Sequence, residues 1–146
     1  MLAAAACRLS PSGRALMAEV TRLTVAGDRR AATALVVGAG TKPSVGALTR
    51  RAGWVMGGFT AQDQSDMLAV VAAEDAFDVE ARLDRVTAPT LVLGGDADGF
   101  YTRELFETTA AGIPHGRAVV MRGRSHVYVA GGRVPATLAL GYLLAG

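Results

Sequence analysis

Over residues 12–40 the apolar positions recur at helical spacing, first Leu16, Val20 and Leu23 and then Ala32, Leu35 and Val36. The polar break "AGDRR" between the two sets predicts two helices rather than one. A third helical stretch carries Leu48, Trp54, Val55, Met56 and Phe59. A fourth follows "TAQDQSD", where Thr60 or Ser65 stands ready to cap a helix containing Met67, Leu68, Val70 and Val71. Residues 10–76 therefore read as a helical layer with few strand signals.

The pattern on either side is different. Residues 2–6 are uniformly apolar and bounded by Arg8, Ser10, Pro11 and Gly13, as expected of a buried strand that ends in a turn. After Phe77 a short amphipathic helical turn leads to Pro89, a breaker, and then to the unbroken apolar run "TLVLGG", the signature of a strand covered on both faces. Residues 102–112 predict a helix with Leu105 and Phe106 turned inward and Gly112 closing it. The chain then turns at "IPHG", runs through a second strand, "RAVVM", and ends in a helix from about Val134, with Pro135 in its first turn, to Leu144. Strand, helix, strand, helix at this spacing predicts a parallel crossover and an α/β fold.

Composition narrows the class. A chain of 146 residues with 51% hydrophobic content has enough apolar material for one domain with a core. All but one of its fifteen basic residues are arginine, Lys42 being the lysine, and they are dispersed, so nucleic acid is not an expected partner. The single cysteine, Cys7, excludes an intrachain disulfide and a cysteine zinc cluster and is expected in the core of a cytoplasmic protein. The opening "MLAAAAC" has no basic segment before it, and the apolar ending "ATLALGYLLAG" is too short to span a bilayer, so neither a signal peptide nor a membrane is expected.

In adjacent parallel strands the carboxyl ends share one edge of the sheet, so the loops that follow them face each other. The loop after the first strand of this unit holds Asp96 and Asp98, and the loop after the second holds His126. A carboxylate that accepts from one imidazole nitrogen fixes the tautomer and leaves the other nitrogen to act as a general base.

The stretch "APTLVLGGDADGFYTRELFETTAAGIPHGRAVVMRGRSHV" resembles the C-terminal part of an α/β-hydrolase. In that family a strand of the form "PTLVIxG" precedes the acid of the catalytic triad, and a later strand leads to a loop bearing the triad histidine. The frame "G-x-x-D" from Gly95 puts the acid on Asp98, leaves Asp96 outside the triad as a turn and helix-start residue, and puts the histidine on His126, with Ser125 where a glycine often stands. The resemblance further implies that residues 1–9 hold a strand of the hydrolase core, residues 10–76 a helical cap and residues 77–146 the C-terminal core. The implied architecture is a partial α/β-hydrolase fold of about three parallel strands with flanking helices and a cap. Its implied chemistry is hydrolysis of an ester, amide or related bond in a small-molecule substrate, through a covalent intermediate and without a cofactor.

In the family order the nucleophile precedes the acid and the histidine. The sequence holds no Gly-x-Ser-x-Gly elbow: Ser10, Ser12, Ser44, Ser65 and Ser125 all lack the glycine frame, and "KPSVG" around Ser44 comes nearest. The expectation is a chain corresponding to the second half of such an enzyme, inactive by itself, with the nucleophile and oxyanion-hole donors expected before residue 2. The alternative is a non-catalytic remnant or a binding subunit that docks on another chain or on a second copy, since an unpaired apolar strand at residues 2–6 seeks a partner. A small nucleotide-binding domain has only the strand-end aspartates in its favour.

Other features carry less. "DAD" with Glu107 at the twelfth position mimics a calcium loop, but Phe100 and Tyr101 fall where an oxygen ligand and a glycine are required, so no metal is expected. "VVGAGTKPSVG" fits no phosphate-binding frame and reads as a helix end followed by a loop. His115 reads as an exposed turn residue. Trp54, Met56, Phe59 and Phe100 are expected either in ordinary core or along an apolar pocket under the cap.

Overall fold

The computed structural model describes residues 1–61 and 63–145. Its centre is β2 (Thr90–Gly95), every residue of which is buried. On one side β2 pairs in parallel with β1 (Leu2–Ala3), Leu2 opposite Val92, and on the other with β3 (Gly116–Met121), Thr90 opposite Gly116. The sheet order is β1-β2-β3.

The apolar run in β2 is explained by what covers each face. Val92 packs with Cys7, Leu83, Leu105, Phe106, Ala110 and Ile113. Leu105, Phe106 and Ala110 belong to α5 (Arg103–Ala111), started by Thr102, whose hydroxyl oxygen accepts from the Leu105 amide at 3.2 Å. Leu91 and Leu93 point the other way, against Ala4 and against Val129 of α6 (His126–Gly131), with Tyr142 of α7 (Arg133–Leu144) beside them. A strand with no solvated face has no use for polar alternation.

Residues 10–76 form α1 (Pro11–Val25), α2 (Arg29–Ala39), a 3-10 turn at Pro43–Val45, α3 (Gly46–Gly57) and α4 (Ser65–Ala76). Ser10 caps α1 by accepting from the Gly13 amide at 3.0 Å, and Asp28 caps α2 by accepting from the Ala31 amide at 3.0 Å. These helices enclose a second core of Leu9, Met17, Val20, Ala32, Val71 and Phe100. As expected, Cys7 is buried and free, and no described helix is long and apolar enough to cross a membrane.

Four expectations need correction. The first strand covers only Leu2–Ala3, because Ala4 turns to a φ of 52° and ends the pairing after its own amide reaches Leu93 O at 3.0 Å. Alanines have little strand preference to hold the run longer. Neither Thr60 nor Ser65 caps α4: the Thr60 hydroxyl donates back to Gly57 O at 2.9 Å, and Ser65 is inside the helix, its amide donating to Asp63 Oδ1 at 2.9 Å. Trp54, Met56 and Phe59 are neither core nor pocket but exposed, since α3 packs on α2 through the opposite face, where Gly53 and Gly57 let the two backbones approach closely. Finally, α6 separates β3 from the last helix, where only a loop was expected.

Candidate active site

The loop after β2 is built by Asp98. Its side chain is fully buried, and Oδ1 accepts from the amides of Phe100 at 2.8 Å and Tyr101 at 3.2 Å. This local turn commits one carboxylate oxygen to the backbone and leaves the other to face outward from the loop. The turn is anchored from behind by the start of α1: the carbonyl of Phe100 accepts from the Ser10 hydroxyl at 2.6 Å and from the Ser10 amide at 3.2 Å. Gly13 lies so close to that carbonyl that a side chain there would overlap it.

The loop after β3 brings His126 to this turn from 28 residues further along the chain, and its Nδ1 lies 3.0 Å from Asp98 Oδ2. An ionised carboxylate only accepts, so Nδ1 is assigned the proton and Nε2 keeps its lone pair. His126 is the first residue of α6, and its neighbour Val127 donates its amide to Gly40 O at the end of α2 at 3.0 Å. The ring is held between two aromatics: Phe100 meets it edge-on at 4.9 Å, and Tyr101 lies nearly parallel at 6.1 Å. Thus the carboxylate fixes one edge of the imidazole, and the flanking aromatics restrict its plane.

Asp96 sits in the turn after β2, as expected, but the helix-start role does not hold. It starts no helix, which Thr102 does. Instead Asp96 Oδ1 accepts from the amide of Gly123, and Oδ2 lies 3.5 Å from a guanidinium nitrogen of Arg103. Its own amide donates to Met121 O at 3.2 Å, and that of Ala97 donates to Arg124 O at 3.0 Å. The aspartate loop is therefore stitched to the histidine loop, and Gly123 supports the turn by taking a φ of 63°.

His126 lines a cavity of about 510 Å³ whose walls come from α1, α2, α4 and the loop after Asp98. Phe100 lines it as one of the expected alternatives had it, together with Tyr101 and Glu74. Among the described residues no group of three or more His, Cys, Asp or Glu is arranged to hold a metal ion. His115 is exposed in the turn before β3, where its carbonyl accepts from the Thr90 amide at 3.0 Å.

Burial raises the Tyr101 phenol above its ordinary range, and the nearby Glu74 and Asp98 carboxylates add to the rise. The folded protein therefore holds this proton to higher pH than the unfolded chain does. The stability this contributes is complete below the unfolded value of about 10 and is lost as pH rises through the folded value. A phenolate absorbance titration should show one late-titrating tyrosine that disappears in Tyr101→Phe. A titration unchanged by that substitution would contradict the placement.

No protein-family profile and no curated protein matches the sequence. Solved structures do match the fold. An α/β hydrolase from a Medee basin deep-sea metagenome library superposes with a TM-score of 0.81 at 14% identity, over 96% of this chain and 54% of that one. A hydrolase from Pseudomonas aeruginosa PA01 gives 0.73 at 21% identity, over 96% and 53%. A thermophilic esterase gives 0.60 at 22% identity, over 97% and 52%. The chain has the fold of part of an α/β-hydrolase and spans about half the length of the structures it matches.

Proposed function

We propose, for a chain folded as about half of an α/β-hydrolase, that it supplies the acid and the base of a hydrolytic site whose nucleophile belongs to the other half of the fold. One observation carries this reading: the bond between His126 Nδ1 and the buried Asp98 carboxylate, 3.0 Å long, at the carboxyl ends of two parallel strands. Asp98 orients His126 and stabilises the imidazolium that forms when Nε2 takes a proton. With a serine nucleophile, that proton comes from the attacking hydroxyl as the oxygen bonds to the substrate carbonyl. His126 then returns it to the leaving alcohol or amine. With an aspartate nucleophile, His126 instead takes its proton from the water that cleaves the covalent ester.

In this reading residues 10–76 are the cap, and the cavity between that layer and His126 receives the substrate. The outer edge of β1, which pairs only with β2 among the described residues, is where the strand leading to the nucleophile joins the sheet. The oxyanion-hole donors come with that strand and its neighbours.

The test is reconstitution. The chain alone and the chain co-expressed with an N-terminal α/β-hydrolase half bearing a Gly-x-Ser-x-Gly elbow are assayed on p-nitrophenyl esters. Turnover only in the pair supports the reading. Robust turnover by the chain alone that depends on Ser44 or Ser125 would overturn it by revealing a nucleophile within this sequence.

A further inference from the structure

The cavity at His126 is lined unevenly. Its walls are aliphatic and thioether groups, Met17 from α1, Val36 and Val37 from α2, and Met67, Val70 and Val71 from α4. Among the described residues no lysine or arginine lines it, and apart from His126 and the neutral Tyr101 phenol its ionisable lining is Glu74. On α4 the four residues Met67, Val70, Val71 and Glu74 follow one another at helical spacing, so a single face of the helix presents three apolar side chains and then an acid. Val71 is buried and Glu74 is exposed, which puts the carboxylate at the rim. None of the described ion pairs includes Glu74. Its influence reaches the site, since it is one of the groups that hold the Tyr101 phenol in its neutral form.

We infer that this cavity takes an aliphatic group bearing no negative charge, and that Glu74 is a specificity-determining residue that turns carboxylates away. The inference deepens the proposed hydrolytic function and rests on it: the substrate is an ester or amide of a neutral or amine-bearing aliphatic unit, not of a diacid. Apolar walls supply the affinity by removing hydrocarbon from water. The rim carboxylate supplies discrimination, because a second anion would be brought near it with no lysine or arginine in the described lining to compensate.

Three probes with one tail and different heads separate these terms: 1-octanol, octylammonium and octanoate. Binding to the full chain at low ionic strength is followed by calorimetry and by the ring resonances of His126. Octanol and octylammonium should bind at the cavity, and octanoate should bind about tenfold or more weaker than octylammonium. Glu74→Gln should close that gap to within about threefold while leaving octanol unchanged. Val70→Trp, at a half-exposed position lining the cavity, should weaken all three by filling the space. Failure of octanol to bind, octanoate binding as tightly as octylammonium, or a gap that survives Glu74→Gln would each overturn the inference. A charge preference of the expected kind in a chain whose reconstituted pair is inactive would instead count against the hydrolytic reading and leave the cavity assignment standing.

Discussion

In the reconstituted pair, His126→Ala should lower kcat for p-nitrophenyl ester hydrolysis by about 10⁴-fold or more, with little change in KM. The imidazole is asked to take the nucleophile's proton as the bond to carbon forms, so its removal leaves the nucleophile weak at neutral pH. Substrate binding at the proposed site should be largely unaffected, because His126 is one of several residues lining the cavity. Asp98→Ala should cost no more than His126→Ala, on the order of 10²–10⁴-fold, since it acts through orientation and charge. The Asp98 substitution also removes the acceptor for the Phe100 and Tyr101 amides. Asp98→Asn, which keeps an acceptor oxygen for those amides, therefore separates loss of charge from loss of the turn. Turnover that survives His126→Ala within a few-fold would refute the acid-base assignment.

The largest expected loss of stability is at Phe106. Its side chain is fully buried and packs beside Val92, Leu105 and Ile113. A side chain built at Gly94 would lie inside the Phe106 ring, so the ring rests directly on the backbone of β2. The backbone cannot close over the space when the ring is removed, and Gly94 has no side chain to fill it. Phe106→Ala should therefore destabilise the fold by about 3–5 kcal/mol, read as a lower midpoint in chemical denaturation. Gly94→Ala alone should also destabilise, but adding it to Phe106→Ala should cost less than it does in the parent, because the new methyl enters the space the ring has left. Strict additivity, or a Phe106→Ala effect below about 1 kcal/mol, would show that the strand and α5 do not meet in this way.

These two sites differ in how much of them was legible in the sequence. The run "TLVLGG" after Pro89 and the inward Leu105 and Phe106 are local, strong signals, because a doubly covered strand must be apolar throughout and a helix must turn one face to it. Parallel order then put Asp98 and His126 on one edge, and their contact follows from the topology of β2 and β3 together with the family frame. Helices α1 and α2 were legible for the same reason, through the spacing of Leu16, Val20, Ala32 and Leu35.

Tertiary structure decided the rest. "SHVYVAGG" has valines and glycines where a helix prefers straight chains, so α6 forms under constraint: Val129 is buried against β2, and the Val127 amide is taken by Gly40. Asp96 carries no local mark of its link to Gly123 and Arg103, nor does Ser10 of its hold on Phe100. Which oxygen of Asp98 meets the imidazole, which aromatics flank it, and which face of α3 is left in water all depend on partners tens of residues away. Hydrophobic periodicity marked the buried faces of α1, α2 and α5, but not that of α3, whose Trp54, Met56 and Phe59 stay exposed because its glycines meet α2. Where a buried polar atom finds its partner is set only when the segments meet, because a hydrogen bond is decided by distances that no single segment contains.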